Sequence, residues 1–129
     1  MNRQELQKLV VGAICPLPTP FDEDFNVDNG LMYELSSYLI DQGLATGNAM
    51  LKVASAVGEG SNLGDEEWPD LLSAVVRAAD GKCPVMSSIN HKDTFRSIED
   101  AKKAADLGAV AIQVSPPIFS DPNQDDMVR

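Results

Sequence analysis

Four short apolar runs punctuate this chain, each closed by proline or glycine and each separated from the next by an amphipathic stretch. The runs are Leu9 to Cys15, stopped by Pro16 and Pro18; Ala49 to Ala54, leading into Gly58-Glu59-Gly60; Pro84 to Ile89; and Ala109 to Val114, broken by Pro116-Pro117. Continuous apolar runs of this length suit strands buried on both faces, as in parallel sheets. The intervening stretches read as helices. Asp28 can cap one running to about Asp41, with Leu31, Leu35, Tyr38 and Leu39 on one face and Gly43 as the stop. Asp65-Glu66-Glu67 opens a second, with Leu71, Leu72, Val75 and Val76 inward and Asp80-Gly81 at its end. Thr94 is the expected cap of a third, which carries Ile98, Ala101, Ala104 and Ala105. Residues 1–8 form a short polar helix, and residues 121–129 read as a loop and the start of a further helix.

Strands are therefore expected near Val10–Cys15, Ala49–Ala54, Pro84–Ile89 and Ala109–Val114, at spacings close to the ~30 residues of a βαβ unit. Alternation of this kind makes an α/β fold with a parallel sheet and helices outside it. Two architectures remain open on periodicity alone: a doubly wound sheet, complete with four or five strands, and a closed eight-stranded barrel, which needs about 250 residues. In both, function lies at the C-terminal ends of the strands. That rule singles out Leu17 to Phe21, Ser55 to Ser61, His91 to Thr94 and Ser115 to Ser120.

Charge narrows the partners. Twenty Asp and Glu against ten Lys and Arg leave a formal net charge of -10 over 129 residues. Such a surface repels phosphate backbones and anionic membranes, so neither nucleic acid nor membrane is an expected partner. No apolar run approaches the ~20 residues of a spanning helix, and the polar start lacks the core of a secretion signal; the expected location is cytoplasmic. Cys15 and Cys83 then read as free buried thiols. With His91 as the lone histidine they make no plausible metal site, and no cofactor is expected.

Individual residues offer competing readings. Gly58-Glu59-Gly60 follows a strand and precedes a helix, where a dinucleotide-binding loop would lie, but Leu63 stands where a third glycine belongs. Glycines permitting a tight turn are the simpler reading. Lys52 is the one lysine inside an expected strand. Within a barrel it could form an imine with a carbonyl substrate; the favoured expectation is that it points to the helix layer and snorkels to solvent. His91 could meet an anionic substrate but reads more simply as solvated. The acidic runs at Asp22-Glu23-Asp24, Asp65-Glu66-Glu67 and Asp125-Asp126 read as helix starts and loops.

Taken in order, Pro16-Leu17-Pro18-Thr19-Pro20-Phe21, Phe25-Asn26-Val27-Asp28 with Gly30-Leu31, Val57-Gly58-Glu59, Leu63-Gly64-Asp65-Glu66-Glu67, Pro84-Val85, Ala104 to Gly108 and Val114-Ser115-Pro116-Pro117 resemble the dihydrodipicolinate synthase / N-acetylneuraminate lyase family from Val11 onward. The resemblance implies a (β/α)8 barrel, assembled as a homodimer or homotetramer, that acts on a 2-oxo acid such as pyruvate through a Schiff base on a strand lysine. It matches the loop that holds the pyruvate carboxylate to Ser55, Ala56, Val57, Gly58 and Glu59. Two threonine hydroxyls of that loop are absent here, so binding would rest on backbone N–H groups and Ser55. Phe119 falls at the family's relay tyrosine and lacks its hydroxyl. The stretch from Leu44 to Asn48 is longer than in typical members. These departures imply a divergent subgroup, acting on sugar acids or aromatic-degradation intermediates.

The family's catalytic tyrosine and Schiff-base lysine fall beyond Arg129. The expectation is thus the N-terminal half of a TIM barrel, about four of eight βα units across residues 1–129, inactive as it stands and belonging to a longer lyase. Two other functions stay in view: a non-catalytic half-barrel that covers its edges with a partner, and a nucleotide-binding α/β domain using Gly58 and Gly60.

Overall fold

A computed structural model describes residues 2–90 and 93–116. Its elements are α1 (Arg3–Leu9), β1 (Ala13–Pro16), α2 (Asn29–Asp41), β2 (Ala49–Val53), α3 (Glu67–Ala79), β3 (Val85–Ile89), α4 (Thr94–Asp106) and β4 (Ala111–Val114). The strands form one sheet in the order β1-β2-β3-β4, and each neighbouring pair is parallel. Met32 of α2, Leu71, Leu72 and Val75 of α3 and Ala104 of α4 share one buried cluster with Leu51, Val53, Val85 and Ile89. All three helices therefore cover the same face of the sheet. An unbroken strand order with helices on one face is the winding of a barrel wall; a doubly wound sheet reverses its order and carries helices on both faces. The chain is an α/β half-barrel.

The helix boundaries follow from local chemistry. Asp28 accepts a hydrogen bond from the Leu31 N–H at 2.8 Å, the cap expected of it. At α3, Glu66 makes no side-chain cap, and Glu67 instead reaches back to the Gly64 N–H at 2.7 Å. Asp80 ends α3 in the left-handed region at φ 45°, a conformation Asp tolerates better than most residues. The third expected cap shifts by one residue. Asp93, not Thr94, accepts from the N–H groups of Phe95 and Arg96, and Thr94 is the first helical residue.

Three further expectations change. The first strand begins at Ala13 rather than Val10, because Leu9 belongs to α1 and the Val10 N–H closes that helix on the Leu6 carbonyl. On α2 the buried positions are Met32 and Ser36, whereas Leu31 and Tyr38 are exposed. Ser36 can be buried because its hydroxyl donates to the Met32 carbonyl at 2.8 Å. Burial on both faces holds for the central strands β2 and β3 but fails for β1 and β4. Ile14 is 52% and Val114 57% exposed, since among the described residues each lies on a strand paired along one edge only. The helix start expected after Asp121 lies outside the described residues.

Candidate functional site

The strands point their C-terminal ends at one rim, and the βα loops of that rim are built by short-range geometry. Between β1 and α2, Asp22 accepts from the N–H groups of Asp24 and Asn26, closing a turn whose ends meet in the Phe21–Val27 bridge. The Asn26 N–H holds the Asp22 carboxyl below the ordinary carboxylate range, assisted by the Asn26 side chain. Beside this turn the Leu17 N–H donates to the Lys52 carbonyl at 2.9 Å, extending the pairing of β1 with β2 past Pro16.

Beyond β2 the backbone turns at once. Ala54 adopts φ 54°, a strained setting for a residue with a side chain. Gly60 folds back so closely that a Cβ on it would lie 1.7 Å from the Ala54 carbonyl oxygen. Gly58 faces Leu17: a Cβ there would meet the Leu17 carbonyl oxygen at 2.6 Å, and Thr19 donates its hydroxyl to the Gly58 carbonyl. Where a side chain would extend from either glycine stands the chain's own backbone, in keeping with a tight turn.

This folding leaves a set of donors uncommitted. Ser55 is only 5% exposed, and its Oγ finds no hydrogen-bond partner. The Gly60 N–H returns to the Ser55 carbonyl and the Glu59 N–H to the Ala56 carbonyl, but among the described residues no hydrogen bond uses the N–H of Ala56, Val57 or Gly58. Consecutive free N–H groups and an orphaned hydroxyl on one loop make Ser55 to Gly58 a candidate anion cradle. Ala56 and Val57 are exposed at the rim, Gly58 is buried behind them, and Glu59 is exposed at φ 51°. Phe119 and His91 lie outside the described residues.

Around the cradle stand residues that sequence reasoning passed over. Asn90, just past β3, donates its side-chain N–H to the Ala54 carbonyl at 2.8 Å and so pins the strained corner. A cleft of about 170 Å³ lies behind the loop, lined by Ala54, Gly60, Trp68, Ser88, Asn90 and Asp100. Its walls come from the loop after β2, from α3 and α4, and from the end of β3. Asp65, which also lines the cleft, pairs with Arg96, and that carboxylate raises the guanidinium further above its ordinary value. Both side chains are substantially exposed, so the pair adds little stability.

Lys52 departs from its expected orientation. Leu51 and Val53 face the helices, and the alternation of a strand places Lys52 on the opposite face, the interior of a barrel. There its ammonium donates to the Gln113 carboxamide of β4. The sequence could not settle this, because the residues flanking Lys52 on β2 are apolar on both faces.

Comparison with known proteins agrees with this architecture. The profile of the Dihydrodipicolinate synthetase family matches residues 9–129. The 4-hydroxy-tetrahydrodipicolinate synthase of Bacillus subtilis strain 168 is 35% identical over 111 residues, covering 86% of this chain and 37% of the relative. That of Xylella fastidiosa is 35% identical over 114 residues, 88% of this chain and 36% of its own. Among solved structures, YagE, a prophage protein of the dihydrodipicolinic acid synthase family from E. coli K12 crystallised with pyruvate, superposes with a TM-score of 0.83 at 26% identity, over 94% of this chain and 39% of that one. A dihydrodipicolinate synthase of Bacillus anthracis gives 0.80 at 31% identity, over 91% and 39%. The chain thus spans under two fifths of the length of these relatives. By its sequence profile and by the winding of its sheet, this chain belongs to the dihydrodipicolinate synthetase family.

Proposed function

We propose that residues 1–129 supply the N-terminal half of the barrel domain of a Schiff-base lyase, and that Ser55, Ala56, Val57 and Gly58 hold the carboxylate of a 2-oxo acid such as pyruvate. The observation that carries the reading is the buried Ser55 hydroxyl without a partner beside three uncommitted N–H groups. A buried polar group without a partner is rare in native proteins, and a ligand is a standard reason for one. A carboxylate accepts several such donors at once, and charge-assisted hydrogen bonds are about twice as strong as neutral ones. Pyruvate is bound by the YagE relative, which lends the ligand class support.

In this reading the chain's residues bind and orient. The cradle fixes the carboxylate, and with it the adjacent carbonyl carbon, over the barrel mouth. An amine added to that carbon expels water and leaves an imine, which draws electrons from a neighbouring carbon–carbon or carbon–oxygen bond as it breaks. The family resemblance assigns that amine and the catalytic tyrosine to strands after Arg129. Val57 at the rim and the missing threonine hydroxyls favour a substrate other than that of the synthases, a sugar acid or a related 2-oxo acid. Two unpaired sheet edges, with Ile14 and Val114 half-exposed, favour a covering half that completes the barrel. The assembled enzyme is a homo-oligomer in the cytoplasm, testable by sedimentation of the intact protein.

The deciding experiment is borohydride trapping with pyruvate on the protein at its full natural length. A single reduced adduct, weakened by Ser55→Ala, agrees with the reading; a protein that neither binds nor traps any 2-oxo acid contradicts it.

A further inference from the structure

The inner face of the sheet carries one feature that the proposed carboxylate cradle leaves unexplained. In barrels, interior side chains stack in layers contributed by alternate strands, and these layers are dominated by Val, Ile and Leu. Lys52 of β2 and Gln113 of β4 meet in this way, reaching past β3 to one another. A lysine has donors only, so the contact fixes the carboxamide with Oε1 toward the ammonium and its NH2 group turned elsewhere. Two ammonium protons and two amide protons remain. The pair therefore presents four donor protons against one remaining acceptor lone pair, with one positive charge, where an aliphatic layer is the rule.

Its position gives that charge a use. Lys52 and Gln113 each stand one residue before the C-terminal end of their strand, on the side of the binding rim. The register sets Lys52 level with Met86 and Ala111, two residues short of Gln113, so the ammonium leans along the inner face toward the rim that carries Ser55. The other described lysines and arginines lie on α1, α3, α4 or the turn at Lys82, off the inner face. Within a chain of net charge -10, the only described strand cation faces the barrel interior just below neutral donors that lack a countercharge.

We infer that Lys52, oriented by Gln113, is the cationic contact for the carboxylate of the bound 2-oxo acid, taking the part that side-chain hydroxyls on the loop would otherwise play. This rests on the proposed function above. The test compares pyruvate with methyl pyruvate, which keeps the reacting carbonyl and loses the charge, by calorimetric titration of the protein at its full natural length. Lys52→Met is expected to weaken pyruvate binding about ten-fold or more, the range of a lost hydrogen bond to a charged group, and to leave methyl pyruvate nearly unchanged. Gln113→Glu keeps the lysine stem and neutralises the ammonium in place. It is expected to give the same selective loss, and it carries the test if Lys52→Met does not fold. Unchanged pyruvate affinity in a folded variant, with lowered stability instead, overturns the inference and makes the lysine part of an interior hydrogen-bonded pair. If Ser55→Ala weakens pyruvate while both layer variants bind it normally, the cradle stands and this inference fails. Absence of pyruvate binding in the unmodified protein overturns both.

Discussion

Replacing Ser55 by alanine should move stability and ligand binding in opposite directions. The hydroxyl is buried and unpartnered, so folding strips it of water and returns nothing. An unsatisfied buried group of this kind carries a penalty of about 1–3 kcal/mol. Deleting one oxygen leaves a void smaller than a methylene, which offsets part of the gain. The ligand-free Ser55→Ala protein should therefore be more stable by about 1 kcal/mol in urea denaturation, with an unchanged m-value. With a carboxylate in place the same hydroxyl donates to a charged acceptor, a bond worth about 1.5–3 kcal/mol. Its loss should weaken pyruvate binding by roughly ten- to hundred-fold. A variant that is less stable than the parent and binds pyruvate equally well would refute the argument, because the hydroxyl would then have a structural partner.

Other perturbations test the frame of the site. Gly60→Ala places a Cβ 1.7 Å from the Ala54 carbonyl oxygen, so the loop must shift; a loss on the order of 3 kcal/mol is expected in thermal or urea unfolding. Gly58→Val is a poor probe of ligand approach, since its Cβ would meet the Leu17 carbonyl at 2.6 Å before any substrate does. Hydrogen bonds from Asn26, its N–H first, hold the Asp22 carboxyl below the ordinary aspartate value of 3.8. Its contribution to the 21–27 turn is accordingly full above that value and lost as pH falls through the depressed one, which carboxyl NMR titration would read as a midpoint under 3.8. Burial pushes the Cys83 thiol up from 9.0, so at pH 8 iodoacetamide should label Cys83 more slowly than the partly exposed Cys15 and reach it fully only on unfolding.

What the sequence disclosed follows the range of the forces involved. Asp28 and Asp80-Gly81 were legible as helix ends because capping and left-handed turns are decided within a few residues. The shift of the third cap to Asp93 follows from the same local chemistry, because Asp caps a helix more strongly than its neighbour Thr94. The buried stripe of α2 was hidden by Ser36, a polar residue that becomes a core residue only by bonding its own helix. Exposure at Ile14 and Val114 depends on what stands beside a strand, and an apolar run cannot report that. The orientation of Lys52 is settled by a partner 61 residues away. The position of the candidate cradle came from resemblance, whereas its donor set, one orphaned hydroxyl and free N–H groups on one loop, depends on how Gly60 folds back on Ala54.

Borohydride trapping with pyruvate, followed by peptide mass mapping, tests the central claim most directly. It should be run on residues 1–129 alone and on the protein at its full natural length. An imine needs an amine that is unprotonated and held against the carbonyl carbon. No adduct is expected on the isolated half, and one stoichiometric adduct on the intact protein, at a lysine after Arg129. An adduct mapped to Lys52, or none on the intact protein under saturating pyruvate, would contradict the account.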